Sequence, residues 1–281
     1  MISIAVVSTK GGVGKTTLTV NKGALLADLG LRVLMIDADP QPTLSTYYPL
    51  AKTAPYGLTK LIHEAAVTSD VISHTEIENL DIVVSDDPQA KLPDWILHTA
   101  DGRVRLKYAL QDLALEDFYD VVLIDTQGAI GPLQDAAVLA AKFLISPVPP
   151  EMLSAREFLR GTVEELYKRL QPMERLGAPM GPIKAVIYKQ PRTADAKMVS
   201  EAIRAEYLRS GGRVTVMNTV IPSAKAYTEA ATYRVPVHRH EPVRDGAMAS
   251  ACETMHQLVW ELFPNLEGRL VCREAKDEQR G

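Results

Sequence analysis

Ile2-Ser3-Ile4-Ala5-Val6-Val7-Ser8-Thr9-Lys10-Gly11-Gly12-Val13-Gly14-Lys15-Thr16-Thr17-Leu18 decides the fold of this chain. Its first six residues are an apolar, β-branched run, the mark of a buried strand. From Thr17 a helical pattern takes over, with Leu18, Leu25 and Leu29 on one face and Gly30 as the stop. Strand, glycine-rich turn and helix in that order make a phosphate cradle. Gly11, Gly12 and Gly14 let successive backbone N–H groups converge on one point. The helix behind them adds its positive N-terminal end. Lys15 then reaches the β/γ-phosphates, and the Thr16 hydroxyl is placed to ligate Mg²⁺.

Working outward, Val33-Leu34-Met35-Ile36 reads as a second buried strand, ending in Asp37-Ala38-Asp39-Pro40-Gln41. Carboxylates at the end of a parallel strand lie where open α/β sheets hold their ligands. Tyr119-Asp120-Val121-Val122-Leu123-Ile124-Asp125-Thr126-Gln127-Gly128 is a third such strand, and the acid that closes it, Asp125, suits Mg²⁺ held through water. Further strands are predicted at residues 80–85, 143–148, 183–188 and 214–220. Helices are predicted at 101–115 (with Asp101 as cap), 133–141 and 153–170. This alternation specifies an α/β fold, a mostly parallel twisted sheet flanked by helices on both faces. Residues 1–263 are expected to form a single domain, with 264–281 as a polar C-terminal tail.

The loop departs from the common phosphate-binding pattern, because Thr9 stands where the first glycine should fall and Lys10 follows it. Lys10-Gly11-Gly12-Val13-Gly14-Lys15-Thr16-Thr17 instead resembles the deviant Walker A loop of the ParA/MinD family of P-loop ATPases. Asp37-x-Asp39-Pro40-Gln41 and the Asp125 strand resemble that family's second and third motifs. Pro147-Val148-x-Pro150-Glu151 and Ile221-Pro222…Glu229-Ala230…Pro236-Val237 resemble later segments. The Asp37–Tyr48 and Asp125–Gly128 phrasing is most similar to the Soj/ParA type of plasmids and integrative conjugative elements.

The resemblance implies ATP and Mg²⁺ as ligands, with Lys10 to Thr17 and Pro222 around the nucleotide and Thr16, Asp37 and Asp125 at the metal. It implies that Lys10 reaches across a homodimer to the partner's ATP and that Asp39 positions the attacking water. Weak ATPase activity, non-specific DNA binding and stimulation by a ParB-like partner follow from it, as does a role in DNA partition and plasmid segregation. The alternative is a MinD-like membrane-associated positioning ATPase, which needs an amphipathic anchor; Leu266, Leu270 and Val271 are too few to make one. Iron–sulfur relatives need cysteine ligands that Cys252 and Cys272 do not supply.

Departures leave alternatives open. Pro42 replaces a usual glycine, and Thr43–Tyr48 is either a nucleotide-sensing switch or a plain loop. Gln127 replaces a proline and either orients a water or is a bare loop residue. Ser223 stands in place of the family's arginine.

Composition bounds the rest. Net charge is −4 over 281 residues, yet residues 183–244 carry 11 Lys/Arg against 5 Asp/Glu. That asymmetry points to an anionic partner. Arg204, Arg209, Arg213, Lys225, Arg234, Arg239 and Arg244 are candidate DNA-phosphate contacts, or else solvated surface. No apolar run approaches the ~18 residues of a spanning helix. The early first strand leaves no room for a leader, and two cysteines argue against a disulfide framework, so a cytoplasmic, nucleoid-associated protein without membrane contact is expected. Cys252 falls on an apolar helical stripe with Met255 and Val259 and is expected as a buried thiol.

Overall fold

The computed structural model describes residues 1–208, 212–246 and 248–271. Nine strands form one sheet: β1 (Ile2–Val6), β2 (Val33–Ala38), β3 (Leu50–Lys52), β4 (Ser73–Thr75), β5 (Leu80–Val83), β6 (Val121–Thr126), β7 (Phe143–Val148), β8 (Ile183–Gln190) and β9 (Val214–Pro222). Their order is β3-β4-β5-β2-β6-β1-β7-β8-β9. From β5 to β9 all pairings are parallel, while β4 runs antiparallel to both β5 and β3 at one edge.

Parallel strands covered on both sides need apolar residues at every position rather than at every second one. The inner strands obey this, and their side chains divide by alternation into two cores. Ile4, Val6, Val33, Met35, Val121 and Leu123 face one layer. That layer holds α1 (Lys15–Asp28), α10 (Lys225–Tyr233), α11 (Val237–His240) and α12 (Ala251–Leu262). Ala5, Val7, Leu34, Ile36, Val122 and Ile124 face the other. There α2 (Leu58–Glu64), α3 (Leu92–His98), α4 (Arg105–Leu110), α5 (Leu113–Glu116), α6 (Pro132–Ala140), α7 (Met152–Glu157), α8 (Glu165–Arg175) and α9 (Ala194–Leu208) pack.

Three local expectations are corrected. The helix expected from Asp101 is broken: Gly102–Val104 is a 3-10 turn, and Asp101 takes the Arg105 guanidinium at 3.0 Å instead of capping. Asp112 restarts the chain as the cap of α5, accepting from the Ala114 amide. The helix expected at 153–170 exists but widens to π winding over Phe158–Glu164. Cys252 is buried on α12, but it is disulfide-bonded rather than a thiol; Cys272 lies outside the described residues. Beyond α12, which begins with a reciprocal Ser250–Glu253 capping box, Leu266 is buried against the same core.

The sheet order sets the site. β1 sits between β6 and β7, and the chain leaves it toward β2 on one side while β7 leads to β8 on the other. At such a reversal the strand ends open a crevice for a ligand.

Candidate nucleotide site

The loop between β1 and α1 has the backbone that a phosphate cradle needs. Gly14 is the N-cap of α1 in the left-handed region, at φ 97°, and Gly12 has φ 72°. A Cβ on Gly14 would also overlap the ring of Tyr188. Gly11 and Gly12 are exposed, while Val13 turns inward and is 5 % exposed.

Lys15 is mostly buried; burial pulls its ammonium below the ordinary lysine range, and Asp125 and Asp39 pull it back. The Thr16 hydroxyl donates to Asp125 Oδ2 at 2.6 Å, and the Thr19 hydroxyl lies 3.3 Å from Oδ1. Thr17 meets the Tyr188 hydroxyl. The loop after β6 presses on the cradle: a Cβ at Gly128 would stand 3.1 Å from Gly11 Cα and 3.4 Å from Lys15 Nζ.

Asp37 and Asp125 are register partners on β2 and β6 and face the α1 layer. Asp37 Oδ2 accepts from the Ser45 amide at 2.8 Å and the Ser45 hydroxyl at 2.6 Å; Ser45 Oγ accepts in turn from the Ser85 amide at 2.9 Å. Asp37 Oδ1 is buried with no hydrogen-bond partner. Burial pushes the Asp37 carboxyl up to about 7, Ser45 opposing and Asp125 and Asp39 adding to the rise. Burial likewise raises Asp125 to about 6, against the Thr16 bond and the Lys15 charge. An orphaned carboxylate oxygen beside a second acid and a hydroxyl fits a hard divalent cation. Among the described residues no three His, Cys, Asp or Glu side chains gather into a cage. Mg²⁺ is such a cation; it keeps waters and takes phosphate oxygens.

Asp39 lies half-buried beyond Asp37, its Oδ1 accepting from the Gln41 amide at 2.9 Å. Lys10 points to α7. Its ammonium donates to Ser154 Oγ at 3.2 Å and stands 3.9 Å from Glu157, while Ser154 donates to Glu151 at 2.7 Å. Pro222 ends β9 opposite Gln190, half-buried.

Sequence reasoning missed Ser45 as the holder of Asp37, although it lies in the Thr43–Tyr48 segment flagged as a switch or a loop. It missed Tyr188 behind Gly14, and it missed Lys22. Lys22 is fully buried on α1 without a hydrogen-bond partner at Nζ; burial lowers it to about 7 and nearby Asp125 opposes that. A lysine seven residues along the helix from Lys15 was the available signal.

Among the described residues, the candidate DNA contacts do not gather into one free basic face. Arg204 donates to the carbonyls of Met217 and Asn218. Arg234 donates to those of Tyr47 and Thr46. Arg239 is bidentate on Asp28, and Arg244 is engaged by Glu241. Arg213 lies over the Tyr167 ring, Lys225 is exposed at the start of α10, and Arg209 lies outside the described residues. Among the described residues no helix is long and apolar enough to cross a membrane.

Residues 1–175 match a family model described as an AAA domain. Over 247 residues the chain is 31% identical to the sporulation initiation inhibitor protein Soj of Bacillus subtilis, covering 87% of this chain and 93% of that one. Over 243 residues it is 30% identical to the chromosome partitioning protein ParA of Caulobacter vibrioides, covering 83% of this chain and 85% of that one. Apo McdA of Cyanothece superposes with a TM-score of 0.76 at 22% identity, over 93% of this chain and 99% of that structure, a likeness of fold.

Proposed function

Since the chain belongs to the Soj/ParA family of partition ATPases, we propose that it is an ATP-driven DNA-partition protein. In this reading it cycles between a nucleotide-poor monomer and an ATP-bound dimer. The observation that carries it is the Lys10/Lys15 loop beside the Asp37–Asp125 acid pair, one of whose oxygens, Asp37 Oδ1, is buried without a partner.

The loop amides and Lys15 hold the β- and γ-phosphates. Thr16, Asp125 and Asp37 would hold Mg²⁺, which would supply positive charge against the phosphates. Asp39 positions the attacking water. Lys10 leaves Ser154 and reaches the nucleotide of the second protomer. Catalysis here is positioning plus charge stabilisation, so hydrolysis by the isolated protein is slow and a ParB-like partner accelerates it. The dimer holds DNA without sequence preference through phosphate contacts such as Lys225 and Arg213, and hydrolysis releases it; in the cell it sits on the nucleoid.

The test is DNA binding across a salt series with no nucleotide, ADP, ATP and a slowly hydrolysed analogue. Binding restricted to the ATP states, indifferent to sequence and falling steeply with salt, supports the reading. Equal binding in all four states, or none in any, would sink it. Lys10→Ala is expected to bind ATP and fail to dimerise; a variant that dimerises and hydrolyses like wild type would remove the cross-dimer step.

A further inference from the structure

Beside the loop lies a cavity of about 710 Å³ that Lys15 does not line. One wall is Ser8, Thr9, Lys10 and Val13; the other is the helix that runs from α7 into the π-wound turns, presenting Leu153, Arg156 and Arg160. We propose that this helix face is the receiving half of a composite nucleotide site: Arg156 and Arg160 of one protomer hold the triphosphate seated in the loop of a second copy. The inference rests on the dimer reading above and extends it to residues outside the family motifs.

The first reason is location. Gly14, Lys15, Thr16, Asp37 and Asp125, which cradle the chain's own phosphates and metal, do not line this cavity. Lys10, from the same loop, does line it.

Unspent charge is the second. Arg156 and Arg160 are exposed, and neither holds a hydrogen bond, ion pair or ring contact among the described residues. On the same layer Arg103 and Arg169 are both committed to the buried Asp135. Two guanidinium groups and an ammonium facing one cavity repel one another, with Glu157 as a distant 3.9 Å partner of Lys10. A polyanion relieves that repulsion, and the guanidinium fork matches phosphate oxygens bidentately.

Third, the helix is fastened to the loop, so the arginines are held in register with it. The Thr9 and Thr162 hydroxyls meet at 2.7 Å, and the Thr9 amide donates to Thr162 Oγ1 at 3.4 Å. Thr162 sits in the π-wound segment, whose wider turn brings a side chain onto the loop; π turns concentrate at functional sites. A two-fold dimer supplies this face twice, once over each nucleotide. Leu153, 70 % exposed, gives the rim an apolar contact for the second copy to cover.

Sedimentation with a slowly hydrolysed ATP analogue tests this, with fluorescent ADP binding as the measure of fold and of the chain's own site. Wild type is expected to dimerise. Arg156→Ala/Arg160→Ala is expected to bind ADP like wild type and to dimerise roughly tenfold more weakly or worse. Lys15→Ala, which lacks the phosphate anchor, is expected to stay monomeric. An equimolar mixture of the two variants is expected to recover heterodimers, because the arginines of the Lys15→Ala protomer meet the nucleotide held by the other. A double variant that dimerises like wild type, or that loses ADP binding, overturns the proposal, as does a mixture that stays monomeric. Wild type that stays monomeric with the analogue overturns the dimer reading itself.

Discussion

Asp37 and Asp125 stand side by side on β2 and β6, 0 % and 1 % exposed, and share no hydrogen bond with each other. Two buried acids so placed are costly to ionise together, and the folded chain keeps protons on them that the unfolded chain releases. Asp37 rises from its ordinary 3.8 to about 7 and Asp125 to about 6. The folded state therefore binds more protons between about pH 4 and 7, and stability of the ligand-free protein falls as pH rises through that window. Asp37→Asn is expected to flatten the fall while weakening Mg²⁺-dependent nucleotide binding. Urea denaturation at pH 5 and pH 7.5, without nucleotide, measures it; an unchanged slope in the variant would contradict the assignment.

Lys22 gives the opposite sign. Its folded-state value of about 7 lies below the ordinary 10.5, so the unfolded chain binds more protons between those values. Stability from this residue rises with pH from about 7 to 10.5. Lys22→Met removes a buried amine that lacks a hydrogen bond and is expected to stabilise the protein by about 1–4 kcal/mol at pH 7. It also removes positive charge near Asp125, so half-saturation in Mg²⁺ should move to lower concentration. Denaturation at pH 7 and pH 10, with a Mg²⁺ titration of nucleotide binding, checks both.

The parallel core was legible because continuous apolar runs such as Val33–Ile36 and Val121–Ile124 suit strands covered on both faces, and each ends in an acid. β3 and β4 were not: each has three residues, and Ala51, Lys52 and His74 are exposed. Such an edge carries no period. The turn made by Gly12 and Gly14 was legible because left-handed backbone is a local demand. The hold of Ser45 on Asp37, and of Thr162 on Thr9 across 153 residues, depends on how distant segments meet. The charge count of residues 183–244 locates no contact by itself, since a composition does not tell an exposed basic side chain such as Lys225 from an arginine engaged by Asp28 or by a carbonyl.

Gly14 is fixed twice over, by its φ of 97° and by the Tyr188 ring lying where a Cβ would go. Gly14→Ala is expected to abolish ATP binding and to lower stability by about 1–3 kcal/mol. Adding Tyr188→Leu relieves the overlap but not the backbone strain. The double variant should therefore regain part of the stability and little nucleotide affinity, by calorimetry and by a denaturation midpoint.

Ser45 supplies both donors on Asp37 Oδ2 and links it to the strand β5 exit through Ser85. Ser45→Ala keeps the amide bond and loses the hydroxyl. The carboxyl should rise further, and Mg²⁺-dependent hydrolysis should fall about tenfold, the loss of about 1.4 kcal/mol of positioning. Thr at this position should restore most of it. ADP affinity without Mg²⁺ should not move, which separates a positioning role from misfolding.

Arg239 and Lys225 separate structural from DNA-facing charge. Asp28 ends α1 and meets α11; burial pushes its carboxyl up, but bonds from Arg239 and His238 outweigh this and hold it at about 2. A depressed acid stabilises the fold above its ordinary 3.8, and that contribution is lost as pH falls toward 2. Arg239 is 48 % exposed on its side chain, so solvent screening keeps its share to about 1 kcal/mol. Arg239→Ala is therefore expected to lower the denaturation midpoint at pH 7, to do so less at pH 2, and to leave the salt dependence of ATP-state DNA binding unchanged. Lys225→Ala should do the reverse, keeping stability and reducing the salt slope by about 1. An Arg239→Ala protein that loses the salt slope but none of its stability would return this residue to the DNA face.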